Sequence, residues 1–173
     1  MKRTIITIGV IGVLLITGGY YFLVRNTSAL SPKTETERQP PDGWYEYRNG
    51  RYIFSLFYPE GIAVEEFDEG KGAKTFVFEN KEDGLGFQIF VVPYGEEKIS
   101  DSRFLLDVPS GIRENPSSFY IDGVVATSFY SKNIALGDTW EVWFVYKGFL
   151  YEVTTIREQE FWLSEIMKTW LFI

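Results

Sequence analysis

The chain contains neither cysteine nor histidine in 173 residues. Without cysteine no disulfide can constrain the unfolded chain, so any folded domain must be held by packing alone. The chain also lacks the cysteine that lipoprotein acylation requires. The missing histidine excludes more chemistry. It removes the usual general base near neutral pH, the Ser-His and Cys-His nucleophile pairs, and the commonest transition-metal ligand. What remains open is paired carboxylates, a lysine base, or a hard-cation site built from oxygen ligands. Positive charge is scarce as well. Residues 43–173 hold 12 Lys and Arg against 21 Asp and Glu, a balance of −9 that would repel nucleic acid and anionic lipid surfaces. No nucleic-acid partner is expected, and no motif implies a cofactor. Aromatic side chains, by contrast, are abundant: 15 Phe, 11 Tyr and 5 Trp can supply the packing that disulfides cannot.

Thr4 to Val24 is an uncharged apolar run of 21 residues, preceded by Lys2 and Arg3 and followed by a polar stretch. As a helix it is about 31 Å long, enough for the roughly 30 Å hydrocarbon core of a bilayer. Its anchor residues are Ile5, Ile6, Ile8, Val10, Ile11, Val13, Leu14, Leu15, Ile16, Tyr20, Tyr21, Phe22, Leu23 and Val24. A cleaved signal peptide is the alternative, with Thr27-Ser28-Ala29 as a passable cleavage site. The length of the run and the aromatic residues near its end favour an uncleaved anchor. Lys2, Arg3 and the amino terminus outnumber Arg25, so the positive-inside rule leaves residues 1–3 in the cytoplasm and the rest outside a cell membrane crossed once. Arg25 to Asp42, rich in Ser, Thr, Pro and charge, reads as a flexible linker. Residues 43–173 then form one extracytoplasmic domain, about 130 residues and large enough to bury a core.

Within the domain, strands separated by turn residues dominate. Trp44–Arg48 and Tyr52–Tyr58 flank Asn49-Gly50, a hairpin signal, and Asp122-Gly123 and Lys147-Gly148 are further tight turns. Other strands are expected at 62–67, 75–79, 86–92, 118–121, 124–131, 139–146 and 149–155. Helices are expected at Ser100–Val108, with Ser100 as N-cap, and at Glu158–Phe172, whose Leu163, Ile166, Met167 and Trp170 form one stripe. Along 139–146, Trp140, Val142, Phe144 and Tyr146 share one face, while Trp143 and Val145 lie with Glu141 on the other. A sheet apolar on both sides needs cover on both, which places the two helices on opposite faces. The expected fold class is α+β, a mostly antiparallel sheet with helices on both faces, behind one N-terminal transmembrane helix.

Gly50 to Gly61, GRYIFSLFYPEG, resembles the opening of PsbP-like domains, in which an aromatic-alternating strand ends in Tyr-Pro. The order of elements and the closing segment with Trp170 and Phe172 are similar too. The chain also resembles small membrane-anchored bacterial proteins that carry strands like Gly86 to Tyr94 and a hairpin like Glu141 to Thr155. The resemblance implies a PsbP-like α/β/α sandwich. PsbP-like proteins of photosynthetic membranes are non-enzymatic accessory subunits that assist metal retention, a role this histidine-free sequence does not inherit.

Motifs that suggest chemistry read more simply as structure. In Gly70-Lys71-Gly72-Ala73-Lys74-Thr75, Ala73 stands where a phosphate loop needs glycine directly before Lys74, and a strand follows in place of a helix, so a hairpin turn is expected. The acidic run Glu65, Glu66, Asp68, Glu69 and the second group Glu79, Glu82, Asp83 do not match calcium-loop spacing and read as solvated. Trp140, Trp143, Tyr146 and Tyr151 could form a stacking platform but fit a core better. Ser110-Gly111 without histidine is no nucleophile elbow. The expected function is therefore that of a membrane-anchored, non-catalytic accessory module, partnered by the lipid bilayer through its helix and by a protein or small ligand through its domain. A carboxylate-dependent enzyme acting on envelope glycans is the alternative, and a concave site with two inward acidic residues would favour it. Assembly through an exposed sheet edge is a third possibility.

Overall fold

The computed structural model describes residues 38–173, and Pro40–Ile173 is one compact unit. The expected membrane span, residues 4–24, and linker residues 25–37 lie outside the described residues. No helix among the described residues is long and apolar enough to cross a membrane.

The strands are β1 (Trp44–Asn49), β2 (Phe54–Pro59), β3 (Ala63–Gly70), β4 (Ala73–Asn80), β5 (Leu85–Pro93), β6 (Glu114–Ile121), β7 (Val124–Asn133), β8 (Gly137–Tyr146), β9 (Phe149–Ile156) and β10 (Leu171–Phe172). Helix α1 (Asp101–Asp107) lies between β5 and β6, and helix α2 (Glu160–Met167) follows a 3-10 turn after β9. The expected single sheet is in fact two. Seven strands run in the order β3-β4-β5-β9-β8-β7-β6, every neighbouring pair antiparallel, and β1-β2-β10 form a separate three-stranded sheet. The expected long C-terminal helix is also shorter. It stops at Met167, and Leu171 and Phe172 pair with Ser55 and Phe54 of β2 as a short strand. Thr169 enforces that exit: its hydroxyl caps the Ile166 carbonyl at 2.7 Å and accepts from Phe57 N at 2.8 Å.

Turn chemistry explains the registers. Asp122-Gly123 and Lys147-Gly148 have positive φ at both residues, the mirror-image turn whose twist matches antiparallel strands, and each joins directly paired residues. Asn49-Gly50 behaves differently. Asn49 pairs with Phe54 across a four-residue connection, because the Asn49 side chain accepts from Tyr52 N at 3.1 Å and the positive φ falls on Ile53. Tyr52, expected within a strand, instead points into the core from this loop. Its carbonyl accepts from Tyr151 Oη at 2.7 Å.

The main core lies between the seven-stranded sheet and a layer made of the small sheet and α2. Alternate residues supply it: Phe76 and Phe78 from β4, Ile89 and Val91 from β5, Val142 and Phe144 from β8, Tyr151 and Val153 from β9. Phe54 and Leu56 of β2, with Leu163, Ile166 and Met167 of α2, close it from the other side. Trp170, beyond the helix, stacks on Phe54 with ring centroids 4.7 Å apart and meets Phe144 and Tyr151 edge-on.

The opposite face of the large sheet carries a smaller cluster, in which Phe104 and Val108 pack on Phe129 and Trp143. The two helices thus pack against opposite faces of the sheet. Arg113 caps this second cluster, its guanidinium 4.3 Å from the Phe104 ring centroid. Both edges of the large sheet resist further pairing. β3 is studded with acidic side chains, and β6 contains Pro116 and a register shift between Glu114 and Ser117.

Trp170→Ala is expected to cost about 3–5 kcal/mol, since it empties a stacked aromatic site in the centre of the core. Urea unfolding of the wild type and variant measures this, and a loss below about 1 kcal/mol would show that the C-terminal segment does not close the core.

A cleft with buried carboxylates

Helix α1 has only seven residues and covers only part of the sheet face it packs on. Ser100 caps its N-terminus by accepting from Arg103 N, and the Val108 amide closes the last turn on the Phe104 carbonyl. Beside the helix the sheet stays open as a cleft of about 530 Å³, walled by Leu106 to Ser110 on one side and Lys132 to Ala135 on the other. That volume lies within the usual range for a small-molecule site. Its floor is the second face of the sheet, on which Glu141, Trp143, Glu152 and Thr154 stand side by side.

Strand register assembles this floor. Glu141 pairs with Thr154, Trp143 with Glu152, Phe129 with Glu141 and Ser131 with Thr139, and directly opposed residues point to the same side. Both glutamates are almost fully buried, at 5% and 6% exposure. Glu141 accepts three hydrogen bonds: from Thr139 Oγ1 at 2.7 Å, Thr154 Oγ1 at 2.6 Å and Trp143 Nε1 at 3.3 Å. Burial pushes its carboxyl above the ordinary range, and these donors pull partly in the other direction.

Glu152 is held differently. Arg103 of α1 reaches it at 3.4 Å while also pairing with Asp107 one turn along the same helix. Burial raises the Glu152 carboxyl strongly, the neighbouring Asp107 raises it further, and Arg103 opposes both. The arrangement suits a protonated Glu152 that donates to Asp107, leaving Arg103 and Asp107 as the charged pair.

Of the residues that the sequence singled out, Glu69, Thr75, Ser110, Glu141 and Trp143 line the cleft. Glu152, Ser131, Arg103 and Asp107 are additions from the structure. The aromatics of the last hairpin belong to the core, as the sequence favoured, rather than to a platform: Trp140 and Tyr151 lie in the main core with Tyr146 packed against it, and Trp143 is buried in the second cluster. The acidic run is engaged locally. Glu66 pairs with Lys74 at 2.6 Å, Lys81 bridges Glu65 and Glu79, and Glu69 accepts from Thr75. Among the described residues no group of three or more acidic side chains is placed to hold a metal ion. Gly70-Lys71-Gly72 forms the β3–β4 turn.

No family model matches this sequence. No curated protein matches it either. Among solved structures, the chain is similar to the solution structure of cyanobacterial PsbP (CyanoP) from Synechocystis sp. PCC 6803, with 14% identity and a TM-score of 0.52 over 76% of this chain and 93% of that one. The domain has a PsbP-like fold. The resemblance carried by Gly50 to Gly61 is therefore borne out in three dimensions. At this identity the likeness concerns architecture, and the PsbP-like frame leaves the chemistry of the cleft to be argued from its own residues.

Glu152 also predicts a pH dependence. A carboxyl raised in the folded state binds more protons there than in the unfolded chain, so its contribution is fully present below the unfolded value near 4.5 and is lost as pH rises toward the folded value. Stability is expected to fall between about pH 5 and pH 9, and Glu152→Gln, which mimics the protonated acid, is expected to flatten that slope. Urea midpoints at three pH values check this; an equally steep slope in the variant would assign it to another group.

Proposed function

We propose that the protein is an accessory module that binds a small ligand in the cleft beside α1 and has no chemistry of its own. In this reading residues 4–24 hold the domain in the cell membrane, with residues 1–3 in the cytoplasm and residues 43–173 outside. The observation that carries the binding reading is the floor of the cleft: desolvated polar groups fixed on rigid neighbouring strands and open to a bounded space of about 530 Å³. Desolvated polar groups are costly to keep unless they are matched, and a rigid floor lowers the entropy lost on recognition. The tether adds position. An extended linker keeps the domain within about 70 Å of the bilayer.

The concave site with two inward carboxylates favours a second reading, a carboxylate-dependent hydrolase of envelope glycans. Glu141 and Glu152 are diagonal neighbours across β8 and β9, a relation that sets backbones about 7–8 Å apart. Glycoside hydrolysis uses carboxyl pairs about 5 to 9.5 Å apart. The raised Glu152 even suits a general acid. Against it, three donors already fix Glu141 and Glu152 is tied to Arg103, an arrangement that suits held polar groups better than an acid and base that exchange protons with a substrate.

One experiment tests the orientation and a second separates the readings. Protease added to intact cells is expected to digest residues 43–173, and protection of the domain until lysis would overturn the proposed orientation. The purified full chain is expected to release no sugar fragments from cell-wall glycan. Release that Glu152→Gln abolishes would establish the hydrolase instead.

A further inference from the structure

Glu141 lies buried at the cleft floor and meets no lysine or arginine among the described residues; its bonded partners are two threonines and an indole. A carboxylate offers about four lone-pair positions, of which three are taken, so one is left. Next to it, Ser131 is 4% exposed and its hydroxyl has no hydrogen-bond partner among the described residues, although it lines the same cleft. Ser131 stands directly across from Thr139, the residue that donates to Glu141. Buried hydroxyls are nearly always bonded, so an unpaired one on the same sheet face as an unfilled acceptor position marks a place for a polar group that the chain itself does not provide.

The nearby cations are committed elsewhere. Arg103 is shared between Asp107 and Glu152, and Lys132 reaches Asp138 at 3.5 Å on the exposed side of the strand ends. Each wall above the floor carries one large exposed apolar side chain, Leu106 on α1 and Ile134 on the facing loop, among polar neighbours such as Ser110 and Asn133. Polar demand at the bottom and apolar surface at the mouth define an amphiphilic ligand with its donors at one end.

We propose that the cleft takes a small primary ammonium ligand carrying an apolar substituent, with the ammonium on Glu141 and Ser131 and the substituent between Leu106 and Ile134. The inference rests on the reading of the cleft as a ligand site. A tetrahedral ammonium has three donors and no acceptor, which matches an anionic acceptor beside a hydroxyl oxygen. Its charge also supplies the counter-ion that Glu141 lacks. An alcohol has a single donor, enough for Glu141 but not for Ser131 as well, and would leave the buried carboxylate uncompensated, while a carboxylate ligand would be repelled.

Calorimetric titration of the full chain at pH 7 with hexylamine, hexanol and hexanoate tests this. Hexylamine is expected to bind at one site, roughly tenfold or more tighter than hexanol, the factor that a charge-assisted hydrogen bond contributes. Glu141→Gln is expected to erase that preference. Ser131→Ala, which removes a hydroxyl that the fold does not use, is expected to weaken hexylamine severalfold and leave hexanol unchanged; it decides the matter should Glu141→Gln fail to fold. Equal binding of hexylamine and hexanol, or a preference unaltered in either folded variant, overturns the ammonium assignment while the cleft stands as a ligand site. Failure of all three probes to bind overturns both.

Discussion

The pairing of β8 with β9 decides most of what this domain is. Both strands are apolar on one face and mixed on the other, and the register Val142 with Val153 sends Val142, Phe144, Tyr151 and Val153 into the main core. The same register necessarily sends Glu141, Trp143, Glu152 and Thr154 to the other side. Because side chains alternate with a period of two, a slip of one residue would exchange these sets and bury the glutamates among the phenylalanines. The tight turn at Lys147-Gly148 prevents that slip by pairing Tyr146 directly with Phe149. A chain with no disulfide thus relies on one two-residue turn to keep its core and its cleft on separate faces.

Coverage of the two faces is unequal, and the inequality creates the cleft. The core face is closed by a three-stranded sheet, by α2 and by the stacked pair Trp170 and Phe54. The other face has only the seven residues of α1, fastened by Phe104 on Phe129 and Trp143 and by Arg103 reaching Glu152. That fastening is electrostatically costly, since burial disfavours charge on Glu152 and the attraction of Arg103 is divided with Asp107. A hydrophobic contact in place of Arg103 and Glu152 could hold the helix equally well. The polar contact has a different effect: it keeps one glutamate occupied while the adjacent Glu141 faces the cleft with a bonding position to spare.

Much of this was legible before any coordinates. Alternation along 139–146 assigned Trp140, Val142 and Phe144 to one face and Glu141 and Trp143 to the other, and the stripe Leu163, Ile166, Met167 and Trp170 is buried throughout. The tight turn Lys147-Gly148 even contained the register that sets Glu152 beside Glu141, a step that needs only pairing outward from the turn. Three features were not legible, each for a physical reason. The separate small sheet depends on Leu171 and Phe172 leaving the helix, which Thr169 arranges through long-range bonds to Phe57. The loop at Asn49-Gly50 depends on a side-chain bond that local propensity does not rank. The cleft depends on how little of a face a short helix covers, which no periodicity reports.

The acidic balance of the domain and the polar floor of its cleft bear on one another. A net negative surface concentrates small cations around the molecule and disfavours anions, so a buried carboxylate at the end of a shallow cleft sits where the surrounding field already favours its counter-ion. Such a field selects by charge before the cleft selects by shape. The exposed apolar side chains of Leu106 and Ile134 then discriminate among cations, since an inorganic ion gains nothing from them and would lack the additional acidic ligands that a hard-cation site requires. Field, wall and floor act in sequence on an approaching ligand, and only an organic cation satisfies all three.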